Sequence, residues 1–146
     1  MDFQTTIDIS APAEVVWSVI ADVERWPEWT PSVTSIRRMS QAPLAVGQRA
    51  LVRQPRLPPA VWTVTTIDPG RSFTWKSGAP SMRVLAHHGV EPAGTGSRAT
   101  LSLTFAGLLG GLLAKMTAGI NRRYLALEAN GLKRRSETLV AAPESR

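Results

Sequence analysis

LLGGLLAKMTAGINRRYLALEANGLKRRSE, residues 108–137, contains no proline and reads as one long helix. Leu109, Leu113, Met116, Ile120, Tyr124, Leu127 and Gly131 recur at steps of three or four, which aligns them on one stripe of an α-helix. The other faces carry Lys115, Asn121, Arg122, Arg123, Glu128, Lys133, Arg134 and Arg135. At about 1.5 Å per residue such a helix is about 45 Å long. An apolar stripe of that length needs a broad apolar surface to lie against, and the rest of the chain has the patterns of a sheet.

Upstream of the helix, residues 81–91 and 97–105 read as strands separated by Pro92-Ala93-Gly94-Thr95-Gly96, a hairpin-type connection. Residues 60–67 and 72–77 flank Asp68-Pro69-Gly70-Arg71, a strong turn signal. Residues 48–54 alternate, with Ala50, Val52 and Gln54 opposed to Arg49, Leu51 and Arg53. Residues 32–39 form a further strand, anchored by Val33 and Ile36, whose imperfect alternation suggests a bulge. Residues 2–10 alternate cleanly, with Phe3, Thr5, Ile7 and Ile9 on one side. Ser10 is then the expected N-cap of a short helix to Ala21, with Pro12 and Glu14 in its first turn. Asp22 is placed to cap a second helical turn ending near Trp26 and Pro27. The order is one strand, two short helices, six strands joined by short loops, and a long helix. It predicts an α+β fold in which a seven-stranded antiparallel sheet packs on the C-terminal helix.

A chain of 146 residues is the size of one domain. That domain is expected over residues 1–138, with 139–146 a frayed tail. With no cysteine, disulfides and thiolate metal sites are excluded. The net charge is +6, and all 17 basic residues except Lys76, Lys115 and Lys133 are arginine. They are scattered and accompany no nucleic-acid-binding motif, so a solvated surface rather than nucleic-acid binding is expected. The opening MDFQTTIDIS has neither the basic nor the apolar region of a signal peptide. The apolar run 108–120 is short and interrupted by Lys115, so no transmembrane segment is expected and the location is read as cytoplasmic. No metal-ligand spacing, GxSxG, P-loop or GxGxxG is present, and neither a metal nor an organic cofactor is expected.

Four local signatures resemble the START/Bet v1-like (SRPBCC) superfamily, and within it the polyketide cyclase/dehydrase branch. They are Ile9-Ser10-Ala11-Pro12-Ala13-Glu14-Val15-Val16-Trp17; Asp22-Val23-Glu24-Arg25-Trp26-Pro27-Glu28-Trp29; Val46-Gly47; and Glu91-Pro92 followed by Gly96-Ser97-Arg98-Ala99-Thr100. The resemblance covers essentially the whole chain. It implies a helix-grip fold, in which a curved sheet wraps the long helix and leaves a cavity for an apolar small molecule.

Strand alternation and the helix stripe nominate the residues that would face such a cavity. They are Gln54, Trp62, Phe73, Trp75, Met82, Val84, Leu101 and Leu103 from the sheet, and Leu113, Met116 and Ile120 from the helix. Trp29 joins them as a rim residue; the competing reading is that Trp26 and Trp29 brace the short helices. Two polar groups share the inner faces. His88 is a proton acceptor or donor near neutrality, and Tyr124 offers a phenol to a ligand carbonyl. These two are the expected catalytic residues. For each, the alternative is a core side chain with its hydrogen bond satisfied within the protein. By the resemblance, the protein is either a polyketide cyclase or aromatase, working by confinement and acid–base help, or a non-catalytic carrier or sensor of a lipid or hydrophobic metabolite. In the first case Arg122, Arg123 and Lys133, Arg134 and Arg135 would form a docking patch for an acyl carrier protein.

Overall fold

The computed structural model describes residues 2–141. Strand β1 (Asp2–Ile9) leads to helix α1 (Ala13–Ala21) and a 3-10 helix (Val23–Glu28). Strands β2 (Ser35–Arg38), β3 (Arg49–Arg53), β4 (Ala60–Asp68), β5 (Ser72–Ala79), β6 (Met82–Ala93) and β7 (Gly96–Ala106) follow. The chain ends in α2 (Gly110–Met116) and α3 (Ala118–Ala141). The seven strands form one sheet in the order β1-β7-β6-β5-β4-β3-β2. Every pair is antiparallel. Five of the six pairings join strands consecutive in sequence; the sixth brings β1 back to β7. The expected α+β helix-grip architecture is therefore the one observed.

Register decides which side chains share the inner face. Trp75 lies opposite Val64 and Ala86, and Ala86 opposite Leu103. Phe73 lies opposite His88, and His88 opposite Leu101. The irregularity expected in the second strand falls instead in β4, where the register with β5 shifts between Val64 and Thr66.

Three local expectations need correction. The long helix is two helices, broken at Thr117, whose φ of −109° and ψ of 12° leave the helical region. The Leu113 carbonyl accepts both the Thr117 N–H at 3.0 Å and the Thr117 hydroxyl at 2.7 Å. Ser10 caps no helix. Pro12 occupies the N-cap of α1 without a side-chain bond, and the Ser10 N–H donates instead to Glu137 Oε2 at 2.8 Å. Asp22 likewise makes no side-chain cap. In addition, α3 continues through Ala141, so residues 139–141 of the expected frayed tail are helical; residues 142–146 lie outside the described residues.

The inner stripe keeps one phase across the break, but it is not the expected one: Gly110, Leu113, Ala114, Thr117 and Asn121 follow at helical spacing on the inner side. In α3 the buried residues are Asn121, Tyr124, Leu125, Ala129, Gly131, Leu132 and Ser136. Leu109 and Met116 of the expected stripe are exposed. Gly131 is on both, for a reason of space: a Cβ there would sit 2.0 Å from the Trp29 carbonyl oxygen. Only glycine lets α3 come this close to the segment after the 3-10 helix.

Two apolar clusters result. One gathers Val16, Ile20, Val23, Trp26, Trp29, Phe73, Trp75 and Leu132. The other gathers Phe3, Leu101, Phe105, Ala114, Leu125 and Ala129. The space that they leave between sheet and helix is the candidate site.

Candidate functional site

A cavity of about 330 Å³ opens between the inner face of the sheet and the helices. Members of both clusters line it, Trp26 and Trp75 from the first and Leu101, Phe105 and Leu125 from the second. Of the fourteen residues nominated from the sequence, Gln54, Trp62, Trp75, Met82, Val84, His88, Leu101, Leu103, Leu113 and Tyr124 lie on its wall. The other four do not. Phe73 is fully buried behind the wall, stacked on His88 with ring centroids 4.6 Å apart. Trp29 is a brace, packed on Trp26 at 5.7 Å and under Gly131. Met116 is 75% exposed on the outer side of α2, and Ile120 is half-buried away from the lining.

The wall is apolar and aromatic. Trp26, Trp62 and Trp75 form a cluster, with Trp75 5.6 Å from Trp26 and 5.9 Å from Trp62. His88 lies among them, 5.0 Å from Trp26 and 6.1 Å from Trp75. Its pKa is lowered to about 3, first by burial and then by the neighbouring His87, against a backbone hydrogen bond with Phe73. His88 is therefore neutral at physiological pH and a poor proton acceptor. Its Nδ1 is buried and has no partner among the described residues. His87, on the alternate face, pairs its Nδ1 with Thr74 Oγ1 at 2.9 Å.

The polar wall comes from the helix. Thr117, Asn121, Tyr124 and Glu128 follow one another at steps of four, three and four along the inner side. Asn121 Nδ2 donates to Thr117 Oγ1 at 2.9 Å. Tyr124 donates its hydroxyl to the Pro55 carbonyl, so its proton is already engaged within the protein. Gln54 Nε2 donates to the Ser32 carbonyl at 3.2 Å.

Asn121 and Glu128 are the residues that reading the sequence placed wrongly, on the outer faces of the helix, and Glu128 is the charged one. It lines the cavity, and Ser32 Oγ donates to its Oε2 at 3.3 Å. Ser32 in turn pairs with Thr30 Oγ1 at 2.7 Å, and both hydroxyls are buried. Burial pushes the Glu128 carboxyl up to about 7, with the Ser32 hydrogen bond pulling the other way. A carboxyl that titrates near neutrality can take or give a proton under working conditions. The signal for it was present as a polar stripe of Asn121, Tyr124 and Glu128 at helical spacing. The phase error hid it.

The basic run on α3 is largely occupied elsewhere. Lys133 pairs with Glu137 at 2.6 Å and donates to the Asp8 carbonyl at 3.1 Å. Arg135 pairs with Glu28 at 2.6 Å. Among the described residues no group of three or more His, Cys, Asp or Glu side chains is arranged to hold a metal. Among the same residues, no helix is long and apolar enough to cross a membrane.

The comparisons with known proteins bear on the family and the fold. A family model described as polyketide cyclase / dehydrase and lipid transport matches residues 1–137. No curated protein matches the chain by sequence. Among solved structures, the chain is similar to the ZhuI aromatase/cyclase from Streptomyces sp. R1128, with a TM-score of 0.78 and 19% identity over 97% of this chain and 96% of that one. It is also similar to the protein TTHA0849 from Thermus thermophilus, with a TM-score of 0.74 and 21% identity over 98% and 100% of the two chains. A START superfamily protein from Mycobacterium smegmatis gives a TM-score of 0.71 and 17% identity over 94% and 98%. At these identities the structures speak for the fold alone.

Proposed function

Since the chain belongs to the polyketide cyclase/dehydrase and lipid transport family, we propose that it binds an aromatic or polyketide-like small molecule in the cavity and promotes its cyclisation and dehydration. The observation that carries this reading is Glu128, a carboxyl held near neutrality in an otherwise tryptophan-rich chamber. Trp26, Trp62 and Trp75 supply flat apolar surface for a folded chain. The Glu128 carboxylate takes a proton from a methylene between two carbonyls. The resulting carbanion attacks a second carbonyl carbon of the same molecule, forming the new C–C bond. The oxygen of that carbonyl takes the proton back from Glu128. A second methylene proton and the hydroxyl then leave as water, which gives the double bond. Asn121 and Gln54 offer amide groups to the developing oxyanion. Holding both ends of the chain in one chamber supplies the proximity part of the acceleration.

The test uses a reactive poly-β-ketone mimic. Glu128→Gln keeps the shape and removes the base, so ring formation should fall by about a hundredfold or more with binding of an unreactive analogue retained. Unchanged ring formation in the variant overturns the reading. A carrier without chemistry is the second reading. It is favoured by two observations: the Tyr124 proton is committed to the Pro55 carbonyl, and His88 is held neutral. In that case both proteins bind the analogue and neither forms product above the uncatalysed rate.

A further inference from the structure

The cavity lining reaches solvent at one end of the molecule. Its exposed members are Pro58, Gly78 and Met82, which belong to the β3–β4 loop and the β5–β6 hairpin. Helix α2 is tied to that hairpin: the Leu109 N–H donates to the Ser81 carbonyl at 2.8 Å. A Cβ on Gly107 would lie 2.6 Å from the Pro80 carbonyl oxygen, so the β7–α2 connection rests directly on the turn.

The outer side of α2 is apolar as well as its inner side. Gly110, Leu113 and Ala114 face inward, while Leu108 is 93%, Leu109 47%, Leu112 59% and Met116 75% exposed. Leu112 and Met116 lie one turn apart on α2, and Leu108 and Leu109 lie in the turn that enters it, so the four form an apolar ridge along the entry and outer side of the helix. Single exposed apolar side chains are ordinary, but a ridge of four beside a cavity mouth is not. Leu108 projects so far that a partner protein would need a dedicated pocket to receive it. A fluid lipid layer accepts such a ridge without one.

Charge is distributed to match. Residues 29–67, 70–90 and 92–127 contain no Asp or Glu. The β3–β4 loop, the start of β6 and α2 carry Arg56, Arg83 and Lys115 at this end, and Arg122 and Arg123 follow in the first turns of α3. Asp2, opposite Thr104 on β1, is the carboxylate on the strands nearest this end. The opposite end holds Asp8, Asp68, Glu91 and Glu137.

We infer that α2 and the β5–β6 turn form a docking face for an anionic lipid surface, placing the cavity mouth against the layer from which an apolar ligand would enter. The docking itself does not depend on the proposed chemistry; only the route of the ligand rests on that reading. Flotation with phosphatidylglycerol-containing vesicles, and with vesicles of phosphatidylcholine alone, tests it. The protein should float with the anionic vesicles, and added salt should weaken the association. The double variant Leu108→Asp, Leu112→Asp should lose about tenfold or more of the vesicle affinity. Neither residue lines the cavity, so uptake of an anilinonaphthalene probe in vesicle-free buffer should be unchanged. Failure to float, or equal flotation of the variant, overturns the proposal. So does a dimer or a complex with an acidic carrier protein that the variant abolishes, because either would cover the ridge instead. If the vesicles bind but the probe does not, the cavity reading fails and the docking face stands.

Discussion

Replacing Glu128 by glutamine should stabilise the protein, and by more at high pH than at low. The ionised carboxyl is disfavoured by burial, and its pKa rises from an ordinary 4.5 to about 7. A raised carboxyl pKa means that the folded state holds a proton which the unfolded chain has already released. Stability therefore falls as pH rises from about 4.5 towards 7 and stays low above it. At about 1.4 kcal/mol for each pH unit, the full interval costs about 3 kcal/mol. That is an upper figure, since Glu128 keeps partial access to the cavity. Glutamine cannot ionise but can still accept the Ser32 hydrogen bond. Urea unfolding of both proteins at about pH 4 and about pH 8 measures the effect. The variant should match wild type at the lower pH and exceed it by about 2–3 kcal/mol at the higher. His88, whose lowered pKa destabilises the fold as pH drops below 6.5 towards 3, contributes with the opposite sign. It is common to both proteins and cancels in the difference. A pH-independent difference, or a variant weaker than wild type at the higher pH, would refute the placement of this carboxyl.

Gly131→Ala should destabilise by about 1–3 kcal/mol in chemical denaturation, because its Cβ would overlap the Trp29 carbonyl oxygen. Tyr124→Phe should cost only about 1 kcal/mol, through the lost bond to Pro55, and leave turnover nearly unchanged. A large loss of turnover would restore the phenol as a proton donor. Trp62→Ala removes one ring of the cavity cluster and should weaken binding of an aromatic analogue about tenfold by fluorescence titration.

The fold was legible because its strands signal themselves twice. Turn sequences such as Asp68-Pro69-Gly70-Arg71 separate them, and alternation fixes their faces. Ala50 and Val52 are buried while Arg49 and Arg53 are exposed, as the pattern requires. Short, consecutive hairpins then leave little freedom in the strand order; only the return of β1 to β7 is non-local. Capping was less legible. Ser10 is a good capping residue by type, yet its N–H is used by Glu137, 127 positions away. A contact of that range has no local signature.

The sheet side of the site was legible for the same reason as the sheet, and the helix side was lost to the choice of stripe. Counting apolar residues alone centres the stripe on Leu109, Met116, Ile120 and Leu127, which leaves Asn121 and Glu128 outside it. The face that lines the cavity is instead Leu113, Thr117, Asn121, Tyr124 and Glu128, at steps of four, four, three and four across the break. Periodicity counted on apolar residues alone cannot detect this, because a binding site is where the inner stripe stops being apolar. Asn121, Tyr124 and Glu128 occupy positions that plain packing would fill with leucine, and each burial of a polar group there has a cost that packing does not explain. The polar interruptions of a buried stripe are thus the trace that a site leaves in the sequence. Glu128, the interruption with the largest cost, is the one on which the proposed chemistry turns.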